Sequence, residues 1–285
     1  MYPQFPGISW ITPYGLALVA GLLVAWAWSR KRAAAAGLDA SHVDLIVPLG
    51  FLLSAFGAAL FAWLVPADAS WAGDAASMPG RKRLSTMLLT IGVVIFVYGR
   101  IAHLPLRRFA DVFALPFLLC IAIGRIGCLL AGCCWGDIVD PAQLGALAHT
   151  DLGNQVNTLA WFGGEAFPLA IHYPAGSFAW QQQLVLGLID SDAPQSLAVH
   201  PAPLYESAAL LLLLAVLGAA EKGLRQPGQL ALLTMVAYAL IAIVMDLVRA
   251  DNAAIFGPLT FTHVICVVIL AAALPLGKRV FQPVS

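Results

Sequence analysis

Charge is what this chain has least of. Only 11% of its 285 residues are charged, and fifteen Lys and Arg balance fifteen Asp and Glu. With no cationic excess to neutralise a polyphosphate backbone, nucleic acid is not an expected partner. The same scarcity, set beside 61% apolar residues and a mean hydropathy of +0.86, excludes a soluble globule of this length. Cysteine is sparse as well: there are five, and Cys120 and Cys266 sit inside apolar runs, so a disulfide framework is excluded. Cys128, Cys133 and Cys134 cluster in the sequence but lack a CxxC pair or a nearby histidine. On a continuous helix a five-residue step faces Cys128 and Cys133 differently, so small-residue packing is expected there ahead of a metal. A disulfide from Cys128 needs the helix to break near Gly132. No metal or cofactor is expected.

Two further absences narrow the class. No basic residue precedes the first apolar stretch and its basic cluster follows it, the reverse of a cleaved signal, so that stretch is expected to remain in the protein. Neither an internal repeat nor a matched pair of broken helices is present, which argues against an inverted-repeat transporter.

What the chain has is long apolar runs. A helix needs about 20 mainly apolar residues to cross about 30 Å of hydrocarbon. Seven stretches qualify: 10–29, 43–65, 84–101, 109–133, 203–220, 228–248 and 260–277. Continuous blocks such as AALLLLLAVLGAA are unlike the short alternating segments of a barrel. The expected fold is all-α and polytopic, with seven transmembrane helices. Residues 1–135 carry helices one to four, 136–199 an extracytoplasmic head, and 200–285 helices five to seven.

Lys and Arg set the orientation, because basic loops stay in the cytoplasm. Arg30, Lys31, Arg32, Arg100, Arg107, Arg108, Lys222, Arg225, Lys278 and Arg279 all follow odd-numbered segments, whereas 136–199 has acidic residues and no Lys or Arg. The N-terminus is therefore expected outside and the C-terminus inside. Arg81, Lys82 and Arg83 fall on the outer side, read either as lipid-headgroup contacts or as a solvated basic turn.

Charges inside spans cost several kcal/mol unless paired or wet, so their depth is informative. Arg125 lies about 24 Å along segment four, in the outer half of the bilayer. Glu206 lies about 9 Å below the outer boundary at His200. Asp246, Arg249, His263 and Tyr14 reach the same level from segments six, seven and one. Simpler readings stand beside these. Asp246 and Arg249 are spaced as a helix-end ion pair, Tyr14, Trp10 and Trp28 as interfacial aromatics, and His263 as a satisfied hydrogen-bonding residue. Arg125 cannot shed its charge and must meet phosphate, water or a carboxylate, Glu206 being the main rival to phosphate.

Two motifs tie these residues together: GRIGCLLAGCCWG (124–136) and HPAPLYES (200–207). With PYG (13–15), YPAGSFAWQQQ (173–183) and the Tyr238, Asp246, Arg249 pattern, the chain resembles, end to end, the prolipoprotein diacylglyceryl transferase family. The resemblance implies a seven-helix bacterial inner-membrane enzyme with a cavity open to the outer leaflet. It would move diacylglyceryl from phosphatidylglycerol to the lipobox cysteine of prolipoproteins. Arg125 matches the arginine that engages the lipid phosphate, Gly136 the glycine closing the signature, Tyr14 the segment-one tyrosine, and Tyr238 and Arg249 the segment-six pair, with Asp246 where the family has Glu. The sequence departs in lacking a histidine in RLSTMLLTIG (83–92) and the family's Gly-Gly-Arg in segment two. Ala242 replaces an arginine, and Cys128 and Cys133 replace Asn and Glu. The expected catalytic residues are Arg125, His200 and Glu206, and the expected substrate-binding residues are Tyr14, Gly136, Tyr205, Tyr238, Asp246, Arg249 and His263. The base is open among His200, His263 and His172. The alternatives are a lipid-binding protein of the same fold that has lost transfer, or a related transferase with another headgroup or acceptor.

Overall fold

The computed structural model describes residues 12–64, 83–139, 167–250, 254–256 and 259–281. Trp10, Arg81, Lys82 and the aromatic stretch at 160–164 lie outside them. The elements run in the order α1 (Pro13–Ala35), α2 (Ser41–Leu64), α3 (Arg83–Ile101), α4 (Leu106–Ala131), α5 (Phe178–Val185), α6 (Ala202–Ala220), α7 (Gln229–Val248), β1 (Ala254–Phe256), β2 (Leu259–Thr260) and α8 (Phe261–Val280). Among the described residues, four helices are long and apolar enough to cross a membrane: Leu106–Ala131, Ala202–Gly223, Gln229–Val248 and Thr262–Val280. Leu52, Phe96, Leu212, Val244, Val268 and Leu274 are large, apolar and exposed. Such surfaces suit lipid and not water. This is a mainly helical, polytopic membrane protein.

The chain divides into two compact units. The first comprises Met1–Gly21, Cys120–Leu211 and Val244–Asp251. Its α1 starts on Pro13, whose fixed φ suits the first helical turn, and the Thr12 hydroxyl accepts the Gly15 N–H at 3.0 Å. Gly127 of α4 takes α1 at close range, because a Cβ there would stand 2.7 Å from Ala17 Cβ and 3.3 Å from Tyr14 Cα. The Ser207 hydroxyl of α6 donates to the Ala122 carbonyl of α4 at 3.0 Å. After α4 a small apolar core forms from Trp135, Ile138, Tyr173, Ala179 and Val199. Buried amides brace it: Trp135 Nε1 donates to Gln182 Oε1 at 3.0 Å, and Gln183 Oε1 accepts the Leu197 N–H at 2.8 Å. Ser177 caps α5 by accepting the Trp180 N–H.

The second unit comprises Leu22–Leu119, Leu212–Ile243 and Asn252–Ser285. Ile46, Val94 and Phe109 pack together from α2, α3 and α4, and Ala239, Ala242 and Cys266 from α7 and α8. Its polar ties sit at the helix ends rich in Lys and Arg. Arg32 of α1 makes a bidentate pair with Glu221 (2.6 and 3.0 Å) and donates to the Val112 and Asp111 carbonyls of α4. The Asp111 carboxylate accepts N–H bonds from Gly228 (2.6 Å) and Ala231 (2.8 Å), capping α7 from another helix. A cavity of about 580 Å³ opens at the α3–α4 turn, lined by Arg100, His103, Arg107 and Arg108 among others.

Candidate functional site

The first unit gathers most of the expected site residues. Arg125 is 4% exposed on α4, and its Nη2 lies 2.7 Å from Glu206 Oε1 of α6, a carboxylate equally buried. The ion pair that the sequence set against phosphate binding is therefore present, and it occupies one edge of the guanidinium. Nη1 points at Cys134 Sγ, 3.5 Å away, and Nε has no hydrogen-bond partner among the described residues. A buried donor of this kind costs about 1–3 kcal/mol unless something meets it, and a charged donor favours an anionic acceptor.

A short backbone ladder sets the frame around this pair. Gly136 N–H donates to His200 O (2.9 Å), His200 N–H to Asp137 O (2.9 Å), Asp137 N–H to Val248 O (3.1 Å) and Ala250 N–H to Trp135 O (3.2 Å). Gly136 and Arg249 form an antiparallel bridge. The fit excludes any side chain at 136, since a Cβ would stand 2.8 Å from the His200 carbonyl oxygen and 3.2 Å from that of Val248. The glycine that closes the signature thus lets the chain after α4 pass between the start of α6 and the end of α7. This places Arg249 and Asp246, which is buried, in the same unit as Arg125.

His200 is 2% exposed and packs at a tilt against Phe167, with ring centroids 4.6 Å apart and planes inclined by 60°. Its Nδ1 is 3.2 Å from the Tyr205 hydroxyl, while Nε2 has no partner among the described residues. Burial pushes its pKa below the usual value, so the imidazole is neutral near pH 7. His172 is engaged through Nδ1 with the Ser196 carbonyl at 2.9 Å.

Tyr238 and His263 belong to the second unit. The Tyr238 ring packs edge-on against Phe117, centroids 5.5 Å apart. His263 completes a capping box: Thr260 Oγ1 accepts the His263 N–H, and His263 Nδ1 accepts the Thr260 N–H at 3.2 Å. The sequence, reading His263 singly, missed Thr260 three residues before it, although Thr-x-x-His in front of an apolar run is a capping pattern.

The cysteine reading needs correction. Helix α4 ends at Ala131, Gly132 turns left-handed at φ +74°, and Cys133 N–H returns to the Cys128 carbonyl at 3.1 Å, a Schellman-type closure. Cys134 follows at φ +59°, a region non-glycine residues rarely adopt. The Sγ atoms of Cys128, Cys133 and Cys134 consequently lie within 4.8 Å of one another. The different facing expected of a continuous helix does not apply, because the helix stops between them.

A buried arginine–carboxylate pair, on helices that carry exposed apolar side chains, defines a helical membrane protein with a charged pair in its interior. The family model of prolipoprotein diacylglyceryl transferase matches residues 4–277, and the chain belongs to that family. Two phosphatidylglycerol–prolipoprotein diacylglyceryl transferases, from Dehalococcoides mccartyi strains BAV1 and CBDB1, are each 28% identical over 272 residues, covering 92% of this chain and 86% of theirs. A relative of the same name from Rhodopirellula baltica is 26% identical over 193 residues, 61% of this chain and 32% of its own.

Proposed function

We infer that this chain transfers a diacylglyceryl group from phosphatidylglycerol to the lipobox cysteine of bacterial prolipoproteins, with Arg125 as the phosphate-binding centre. The observation that carries this reading is the half-satisfied guanidinium: one edge is locked to Glu206, and Nε is buried with no partner among the described residues. In the reaction the acceptor sulfur bonds to the glyceryl carbon, the carbon–oxygen bond to phosphate breaks, and glycerol phosphate leaves with the thiol proton. Charge grows on the departing phosphate, where a charge-assisted contact from Arg125 in a dry site is worth most. Arg249 supplies a second positive group. Glu206 orients Arg125, and neutral His200, held by Tyr205, takes the thiol proton at Nε2. Gly136 keeps the backbone passage open. Tyr14, Tyr205, Asp246 and Arg249, all of the first unit, form the proposed lining.

The surrounding architecture belongs to the same proposal. Seven helices span the inner membrane with the N-terminus outside and the C-terminus inside, as the Lys and Arg distribution supports. Residues 136–199 form the outer head. Reconstitution into vesicles with labelled phosphatidylglycerol and a lipobox peptide tests the reading. Lipidated peptide is expected with the natural chain, and none with Arg125→Ala or Arg125→Lys, both still inserted. Lipid retained without any product would instead identify a lipid-binding protein.

A further inference from the structure

We propose that Cys128, Cys133 and Cys134 form a zinc site with three protein thiolates, and that its fourth coordination position takes the acceptor thiol. The second half rests on the transferase reading above; the first does not.

The geometry is local and unusual. Two left-handed residues, Gly132 and Cys134, fold consecutive thiols back onto a third from the preceding helix turn. A left-handed cysteine costs backbone energy, and such strain concentrates where a site demands it. All three sulfurs are within 4.8 Å of one another. Tetrahedral zinc, with Zn–S bonds of about 2.3 Å, wants them about 3.8 Å apart, a closure within reach of the side chains. Among the described residues no fourth Cys, His, Asp or Glu joins the group. Cys128 is buried, whereas Cys133 and Cys134 are partly buried as residues. Three protein ligands with an open fourth position is the pattern of catalytic zinc, and a closed four-ligand set that of structural zinc.

The charges fit the same assignment. Three thiolates around a divalent ion leave one negative charge, and the Arg125 guanidinium stands 3.5 Å from Cys134 Sγ to offset it. Soft sulfur ligands select zinc over harder divalent ions. A thiol bound to zinc is deprotonated, so the site would present the acceptor as a nucleophile beside the group that binds the phosphate. The sulfur–hydrogen bond breaks on coordination and its proton passes to His200, the base of the transferase reading above. The sulfur pair then forms the bond to the glyceryl carbon, and the electrons of the broken carbon–oxygen bond remain on glycerol phosphate, which carries the negative charge and regains the proton. Nothing is oxidised or reduced.

The test uses the full chain purified in detergent without chelators. About one zinc per chain is expected by mass spectrometry, lost in Cys128→Ser, Cys133→Ser and Cys134→Ser and kept in Cys120→Ser. Cobalt(II) loaded in place of zinc should show a sulfur-to-metal absorption band. That band should grow on adding a lipobox peptide with cysteine and stay unchanged with its serine counterpart. A natural chain that holds neither zinc nor cobalt, that carries copper instead, or whose Cys128 is disulfide-bonded to Cys133 overturns the site. A metal-loaded chain whose band ignores the cysteine peptide overturns the acceptor role. Transfer that persists undiminished in metal-free chain overturns that role too, while leaving the transferase reading intact. A peptide-responsive band without lipid transfer upholds the site and removes that reading.

Discussion

A guanidinium keeps its proton at any ordinary pH, so Arg125 imposes a permanent charge on its surroundings, and Glu206 is the group that meets it. Removing one partner of a buried ion pair typically costs about 3–5 kcal/mol, because the other charge is stranded. Glu206→Gln is therefore expected to lower the thermal unfolding midpoint in detergent markedly, and to reduce transfer through a misdirected Arg125. A matching loss in the Arg125→Ala, Glu206→Gln double variant, smaller than the sum of the singles, would identify the pair as one unit. His200 gives a pH signature. Burial lowers its folded pKa below the unfolded 6.5, so the unfolded chain binds the proton first. Stability should be level above about pH 6.5 and should fall as pH drops through 6.5 toward the lowered folded value. Unfolding midpoints measured across that range should slope less in His200→Gln.

The elements owe their placing to glycines at close approaches and to caps supplied from elsewhere in the chain. Gly136→Ala would drive a methyl to 2.8 Å from the His200 carbonyl oxygen, backbone that cannot swing aside. The expected cost is about 1–3 kcal/mol, with loss of transfer, read by thermal unfolding and by the vesicle assay. Gly92→Ala, which meets nothing within 4 Å, is the contrasting control. In the second unit, Asp111→Ala strips the cap from the first turn of α7 and should cost about 1–2 kcal/mol in the same unfolding measurement. Helix limits were largely legible in the apolar runs. The run at 203–220 became Ala202–Ala220 and that at 228–248 became Gln229–Val248. The first differs more, 10–29 against Pro13–Ala35, because the helix continues through Arg30, Lys31 and Arg32 after the apolar stretch ends. Helix α5 was not legible: its eight residues carry glutamines that are buried only because Trp135 and the Leu197 backbone require them.

At the scale of the molecule, the charge pattern makes a topology prediction. Reporters that are active only in the cytoplasm should work when fused after Arg32, Arg108, Arg225 or Arg279, and fail when fused within 136–199. An active fusion in that stretch would reverse the orientation. The candidate site was legible in part at this scale. Arg125, Glu206, Asp246 and Arg249 stood out because each is a charge in or at the end of an apolar run, where it must have a partner or a purpose. Ser207, which hydrogen-bonds the α4 backbone, gave no such signal beside its ionisable neighbour.

By itself the sequence determined that helices of membrane length form, at which of their ends the basic residues cluster, and which family motifs the chain carries. Each of these depends on composition and spacing along one stretch of chain. Only the tertiary structure decided that Arg125 spends one edge on Glu206 and leaves Nε open, since that pairing requires two helices distant in sequence to pack at one depth. It also decided that three cysteines meet. Their meeting depends on two left-handed residues after Ala131, a backbone choice that the surrounding contacts impose and that the residue types alone do not dictate.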